Sequence, residues 1–195
     1  MRSLFAIAAA AVAAAPLCAS AQAAPCIKLE SVLSAAPKFA HYAAAPFHAR
    51  PAPVDLRGNR DARRYRTALG EAAKAGPNFA GHYTIAAWGC GTSCLDWGAV
   101  DAATGKVVFD PGIRTVENLA DTWTINEAAT DAYARQGANT QSFDLLLFKP
   151  DSALLVMLGA PGGEESRSGI TWLRWTGARF EPLRFVAAKT ICRIG

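Results

Sequence analysis

The stretch from Asn78 to Cys94, NFAGHYTIAAWGCGTSC, constrains the fold of this chain more than any other. Its run from His82 to Trp88 is rich in residues that suit a half-buried β-strand. Glycines flank Cys90, so the backbone can turn sharply there, and Cys94 follows four residues later. A second β-like run, Leu95 to Asp101, comes next. The stretch therefore predicts two antiparallel strands joined by a loop that a Cys90–Cys94 disulfide closes.

The first residues have the features of a secretory signal peptide. Arg2 precedes a short apolar run, and the small residues of Ala19-Ser20-Ala21 and Ala21-Gln22-Ala23 fit a cleavage site. Pro16 interrupts the apolar run, which argues against a membrane-spanning helix of ~20 residues. We therefore expect residues 1–23 to be a signal peptide. Residues 24–195 are predicted to form a single exported domain, periplasmic or extracellular, with no membrane span.

Four cysteines follow that segment, and their number predicts a disulfide plan. In an exported chain an even count indicates disulfides, and four cysteines allow three pairings. Proximity favours Cys90–Cys94, which leaves Cys26 and Cys192 to tie the two ends of the domain together. A metal site at Cys90 and Cys94 is the alternative, but no second Cys/His pair stands at ligand spacing. We predict two disulfides, no metal and no cofactor.

The charge of the chain is mildly basic. It has 20 basic and 16 acidic side chains, a formal net charge of +4. This gives little support for nucleic-acid binding, which calls for basic residues clustered on one face. Many of the arginines fall in a predicted helix over residues 60–75. A solvated helix face is the simplest interpretation of them, and a functional basic patch is the alternative.

Turn signals divide the rest of the chain into hairpins. They lie at residues 103–105, 149–152 and 176–177, between predicted strands at 106–109, 143–148, 153–158, 170–175 and 179–186. The helix over 60–75 would be capped by Asn59 or Asp61 and ended by Gly76. A second helix, over 126–135, would be capped by Thr124 or Asn126. The sequence before it, from residue 114, gives no clear pattern.

Hairpins in succession, with one helix near the start and one helical connection, predict an α+β fold. We expect an antiparallel β-meander sheet to dominate it. A closed barrel or a two-sheet sandwich is the alternative.

The run NFxGHY followed by WGCGxxC resembles a motif found in a group of small secreted bacterial proteins of unknown function. The resemblance covers residues 76 to about 109, and more loosely LLLFKPDSALLVMLG and WLRWTGARFEPL. It implies an exported protein. It brings no activity and no catalytic residue with it.

Candidate catalytic residues centre on His82. Asp96 and Asp101 lie on the following predicted strand, and a His–carboxylate pair serves general acid–base chemistry. Glu164 and Glu165 resemble paired carboxylates, although adjacent loop residues need not converge on one substrate. A hydrogen-bonded structural histidine and a solvated loop are the simpler interpretations. Four tryptophans fit either a ligand groove or the core: Trp88, Trp97, Trp172 and Trp175.

The leading functional hypothesis is a non-enzymatic binding or scaffold domain of the cell envelope, with another protein as its simplest partner. A loop held by a crosslink loses less entropy on binding than a flexible one. We therefore expect a contact surface formed by the tip of the Cys90–Cys94 loop and by the later polar loop; its residues are Gly91, Thr92, Ser93, Glu165 and Arg167. The alternative hypothesis is a hydrolase that uses His82 with Asp96 or Glu164.

Overall fold

A computed structural model describes residues 25–120, 122–139 and 145–192. The predicted signal peptide lies outside these ranges, as does part of the strand predicted at 143–148. Within them the chain forms an α+β fold, with one eight-stranded antiparallel sheet and four α-helices. The sheet path has two free ends and does not close into a barrel. The predicted fold class is therefore confirmed, in its open form.

Most strands lie next to each other in the sheet in the same order as they occur along the chain. They are β1 (Tyr83–Gly91), β2 (Cys94–Asp101), β3 (Val107–Val108), β4 (Thr115–Glu117), β5 (Leu146–Leu147), β6 (Leu154–Pro161), β7 (Gly169–Trp175) and β8 (Phe180–Ala187). Their order in the sheet is β1-β2-β4-β6-β7-β8, while β3 pairs with β2 and β5 pairs with β6. Strand β4, which the sequence did not predict, joins the two halves of the described sheet by pairing with β2 and β6.

The helix predicted over residues 60–75 is divided in two. The four α-helices are α1 (Leu29–Ser34), α2 (Arg60–Arg64), α3 (Arg66–Ala75) and α4 (Trp123–Ala134). The break falls at Tyr65, whose ring stacks on Trp88 with the centroids 4.5 Å apart. The predicted ends are confirmed, since the Asn59 side chain accepts a hydrogen bond from the Ala62 N–H and Gly76 ends α3 with φ 89°.

Helix α4 begins three residues before the predicted start at Asn126, so the prediction of its cap was wrong. Thr122 is the N-cap residue, and its carbonyl accepts the first helical hydrogen bond, from the Asn126 N–H. Thr124 and Asn126 lie inside the helix. The Thr122 hydroxyl is directed to Leu119 O and to the side chain of Asn118, so it ties the helix to the preceding loop.

The two faces of the first hairpin pack into different apolar clusters. Tyr83 and Ile85 belong to the larger cluster, where Tyr83 meets Trp175 edge to face with the ring centroids 5.1 Å apart. Trp88 packs against the smaller cluster, which α2 and α3 cover. The side chains of β1 thus alternate between the two clusters, as expected for a strand that is covered on both faces. Three of the four candidate tryptophans are buried core residues: Trp97, Trp172 and Trp175.

Both predicted disulfides are present. Cys90 and Cys94 close the turn between β1 and β2, with their Cα atoms 5.2 Å apart. Cys26 and Cys192 join the ends of the described chain, with a Cα–Cα distance of 4.9 Å. Beside this second bond the backbone of Ile27 hydrogen-bonds the segment at residues 190–192 on both sides. The first and last described residues therefore meet.

Candidate functional site

His82 lies just before β1 and is half-exposed. Its Nε2 is 3.7 Å from an oxygen of Asp101. The Asp101 carboxylate already accepts hydrogen bonds from the Ala103 N–H at 2.8 Å and from the Thr104 hydroxyl at 2.7 Å. Burial raises the pKa of the adjacent Tyr83, and the charge of Asp101 adds to this effect. His82 thus lies beside a turn at residues 101–104, which the Asp101 carboxylate stabilises through its hydrogen bonds to the Ala103 N–H and the Thr104 hydroxyl.

The structure does not bring His82 together with Asp96. The strand register pairs Tyr83 with Asp101 and Trp88 with Asp96. Five residues separate the two pairs, which is roughly 17 Å along a strand. His82 and Asp96 therefore lie at opposite ends of the β1–β2 hairpin and cannot share a proton directly.

Asp96 is nearly buried and belongs to a polar network that joins the sheet to the helices. Its carboxylate accepts hydrogen bonds from the Thr115 hydroxyl at 2.5 Å and the Tyr65 hydroxyl at 3.4 Å. Arg114 donates to the same Tyr65 hydroxyl and pairs with Asp61 at 2.6 Å. Burial by itself would lower the pKa of Arg114, but the charges of Asp61, Tyr65 and Asp96 and the hydrogen bond to Asp61 together raise it. Every charged group of this network therefore has a hydrogen-bonding partner.

The later polar loop, residues 162–168, places its candidate residues in different surroundings. Arg167 donates a hydrogen bond to Gly112 O at 3.0 Å and lies 3.9 Å from the Glu164 carboxylate. Glu165 lines a cleft with Lys189. The structure thus places Glu164 beside Arg167, and Glu165 in a cleft of mixed polar and apolar lining.

The tip of the Cys90–Cys94 loop is exposed, as the sequence predicts for Gly91, Thr92 and Ser93. Ser93 has a φ of 55°, and its carbonyl accepts a hydrogen bond from the Asn118 N–H at 2.8 Å. The loop is therefore fixed by the disulfide, by β1 and β2, and by the chain that leaves β4. Strand β4 lies between this loop and the loop at residues 162–168.

The two edges of the sheet differ in how they are protected. On the β1 edge, the Asn78 side-chain amide hydrogen-bonds the backbone of Ile85 twice. It accepts from the N–H at 2.7 Å and donates to the carbonyl at 3.1 Å. Nearby, the Thr84 hydroxyl donates to Gly76 O at 3.0 Å. The two Asn78 bonds occupy backbone groups that a further strand would use, so this edge is blocked at Ile85.

The β8 edge is open along the described residues, where no strand pairs with its outer side. Two of its large apolar side chains are exposed: Leu183 by 38% and Phe185 by 45%. Leu183 is the extra residue of a bulge opposite Trp172 and Leu173. Sequence reasoning missed these residues because apolar residue types occur at both the exposed and the buried positions of this short strand. Residue type alone therefore does not show which side chains are exposed.

An apolar cleft of about 340 Å³ adjoins β8. Phe185, Pro182 and Phe180 of β8 line it, together with Leu173 of β7. Arg167 also lines the cleft and is its one basic residue among those described. The open strand edge and the cleft together form the surface that we call the β8 site.

Two further properties bear on function. Among the described residues, no helix has the length and apolar character needed to cross a membrane. The same residues hold no cluster of three or more His, Cys, Asp or Glu side chains fit for a metal ion.

Comparisons with protein-family models, curated proteins and solved structures find no match to this chain. The resemblance to a group of small secreted proteins therefore stays a prediction.

Proposed function

We propose that this chain is an exported, non-enzymatic domain that binds an extended segment of another protein at the β8 site. The observation that carries the proposal is the contrast between the two sheet edges. Asn78 occupies the β1 edge at Ile85, whereas no strand pairs with the outer side of β8 among the described residues, and Leu183 and Phe185 are exposed there. Exposed apolar edge strands promote aggregation, and natural proteins usually protect them. An open edge of this kind fits a strand that receives a partner.

Strand addition explains the shape of the site. In this mode of recognition, main-chain hydrogen bonds give affinity and pockets for alternate side chains give specificity. The cleft beside Phe185 is large enough for one bulky apolar side chain of the added segment. Pro182 has no N–H, and the bulge at Leu183 disturbs the strand, so pairing is confined to the part of β8 that follows.

Export is supported by the two disulfides, which form and persist in oxidising compartments. The disulfides also favour a preformed binding surface, which loses less entropy on association. A hydrolase that uses His82 with Asp96 or Glu164 has less support, because His82 lies at the far end of the hairpin from Asp96.

The proposal is tested with a display library of linear peptides selected on the folded, oxidised protein. We expect enriched peptides that carry a bulky apolar residue in an extended stretch. Replacing Phe185→Asp should weaken their binding at least tenfold, because a carboxylate then faces the cleft. Trp123→Ala, at an exposed aromatic residue on α4, is the matched control and should change binding less than twofold.

Three outcomes would overturn the proposal. The first is a selection that yields no peptide weakened by Phe185→Asp. The second is a dimer in sedimentation that the same substitution dissociates, since the edge would then serve a second copy of this chain. The third is a hydrolytic activity that His82→Ala abolishes without changing thermal melting.

A further inference from the structure

A basic groove lies between α3 and the extended segment at residues 50–56, away from the β8 site. Its volume is about 830 Å³. Arg66 and Lys74 stand on the α3 side, and Arg50 stands on the other. Its lining includes no acidic and no aromatic residue among those described. The groove is therefore cationic, with an aliphatic floor.

The charge of the chain is concentrated around this groove. Residues 50–75 hold seven basic and three acidic side chains, a net charge of +4, which equals the formal net charge of the whole chain. Asp55 pairs with Arg57, and Asp61 pairs with Arg114. Glu71 contacts Lys74 at 2.7 Å, but both side chains are largely exposed, and such pairs contribute little. Arg50 makes no ion pair with any described residue.

The spacing of the charges favours a chain-like ligand over a single anion. Arg66 and Lys74 are eight residues apart on α3, roughly 12 Å along the helix axis. The Arg66 guanidinium donates to Arg63 O at 3.3 Å, which holds it on the helix surface. Anionic groups repeated along a polymer can meet both charges at once, whereas one phosphate cannot.

Gly70 opens the floor of the groove. It lies in the middle of α3, where glycine is less stable than alanine by roughly a factor of four or five in equilibrium constant. A Cβ placed on Gly70 would meet no atom within 4 Å, so packing does not require a glycine there. The open space lies between the basic side chains, on the same face of the helix as Arg66 and Lys74.

We propose that this groove binds an acidic polysaccharide. Guanidinium groups recognise carboxylate, sulfate and phosphate oxygens by charge-assisted hydrogen bonds. Pro51, Pro53 and Leu56 offer apolar contacts to the faces of sugar rings. Single-stranded nucleic acid is disfavoured because the lining has no aromatic side chain on which bases could stack.

The test uses a heparin decasaccharide as the probe, with the full oxidised protein at physiological salt. The double substitution Arg66→Gln with Lys74→Gln should weaken binding at least tenfold. Arg135→Gln with Lys189→Gln removes the same charge from exposed positions elsewhere and is the matched control. It should weaken binding less than threefold, since long-range attraction is screened by salt.

A second pair of variants tests the groove without a change of charge. Gly70→Gln fills the floor and should weaken binding at least fivefold. Gly70→Ala should leave it within twofold and also raise the melting temperature, because alanine is the better helix residue.

Equal losses in the groove pair and the control pair would overturn the proposal, because net charge alone would then explain binding. So would undetectable binding of the decasaccharide, or an unchanged affinity in Gly70→Gln. Tighter binding of a poly-glutamate peptide than of the decasaccharide would assign the groove to an acidic protein segment instead. None of these outcomes depends on the β8 site.

Discussion

Asn78 shows how one side chain can take the place of a strand. Its amide satisfies both backbone groups of Ile85, a residue only 3% exposed. Without that amide the two groups would be buried and unpaired, or would be free to pair with another chain. Asn78 thus stabilises the fold and prevents association along one edge of the sheet. Among the described residues, no side chain occupies both backbone groups of a β8 residue in this way; the Thr190 hydroxyl donates only to the last carbonyl of the strand, that of Ala187.

We predict that Asn78→Ala destabilises the protein by about 1–3 kcal/mol, the usual cost of leaving a buried polar group unpaired. The measurement is urea unfolding of the oxidised protein, followed by fluorescence. Asn78→Asp is the matched variant, because it keeps the acceptor for the Ile85 N–H but turns a carboxylate oxygen toward the Ile85 carbonyl. It should be less stable at neutral pH than at a pH low enough to protonate that carboxylate, since the protonated oxygen can again donate to the carbonyl. An alanine variant as stable as the parent would show that water replaces the amide.

Single residues also mark the limit of what the sequence could predict about the site. The Cys90–Cys94 bond and the exposed tip follow from spacing and glycine content alone. The partners of His82 and Asp96 do not, because they depend on register, and the register pairs Asp96 with Trp88, six positions along the chain from His82. The exposure of Phe185 could not be predicted, since an apolar residue in an edge strand does not show which face of that strand is covered.

At the scale of elements, β4 decides how the two halves of the sheet are joined. It has three residues, yet it pairs with β2 on one side and with β6 on the other. Three residues are too few for a periodic pattern, which is why the sequence predicted the long strands and missed this one. The two halves also meet through the core, where Trp97 of β2 and Phe180 of β8 lie 5.2 Å apart, ring to ring.

Gly159 allows β6 to approach β4 closely. It has a φ of 117°, and a Cβ there would collide with the backbone carbonyl of Glu117. Gly177, in the β7–β8 turn, has a φ of 92° but open space around it. An alanine at either position would have a positive φ, but only an alanine at Gly159 would also collide with a neighbouring strand. Comparing the stabilities of the two variants therefore separates the cost of backbone strain from the cost of the steric contact.

We predict that Gly177→Ala costs about 1–2 kcal/mol, from the left-handed backbone alone. Gly159→Ala should cost a further ~1–3 kcal/mol, because the new methyl group must push β6 away from β4. Urea unfolding of both variants gives the comparison. Equal losses would mean that the sheet accommodates the methyl group and that the β4–β6 contact is not tight.

At the scale of the whole molecule, two disulfides act over very different lengths of chain. Cys90–Cys94 spans four residues and fixes one turn. Cys26–Cys192 spans 166 residues and closes the whole described domain into a ring. The fold class and both pairings were accessible from the sequence, because hairpin signals and cysteine spacing are local. Whether the sheet closes into a barrel was not accessible, since closure depends on whether two distant edges meet; the sheet is open.

The last prediction ranks the two disulfides. In the chain-entropy model a crosslink stabilises the folded state by restricting the unfolded one, more so for longer loops. The model gives about 5 kcal/mol for Cys26–Cys192 and about 2 kcal/mol for Cys90–Cys94. Replacing each pair of cysteines by serine should therefore reduce the free energy of unfolding, with the larger loss at the Cys26–Cys192 pair.

The measurement is urea unfolding of the parent and of both double variants, without reductant. Non-reducing peptide mapping of each protein serves as the control that the remaining bond is native. The backbone bridge at Ile27 survives removal of the Cys26–Cys192 bond, so that variant should still fold, with its ends more prone to open. A larger loss at Cys90–Cys94 would contradict the ranking. It would mean that this bond acts on the native turn, by holding the Ser93 carbonyl against the Asn118 N–H.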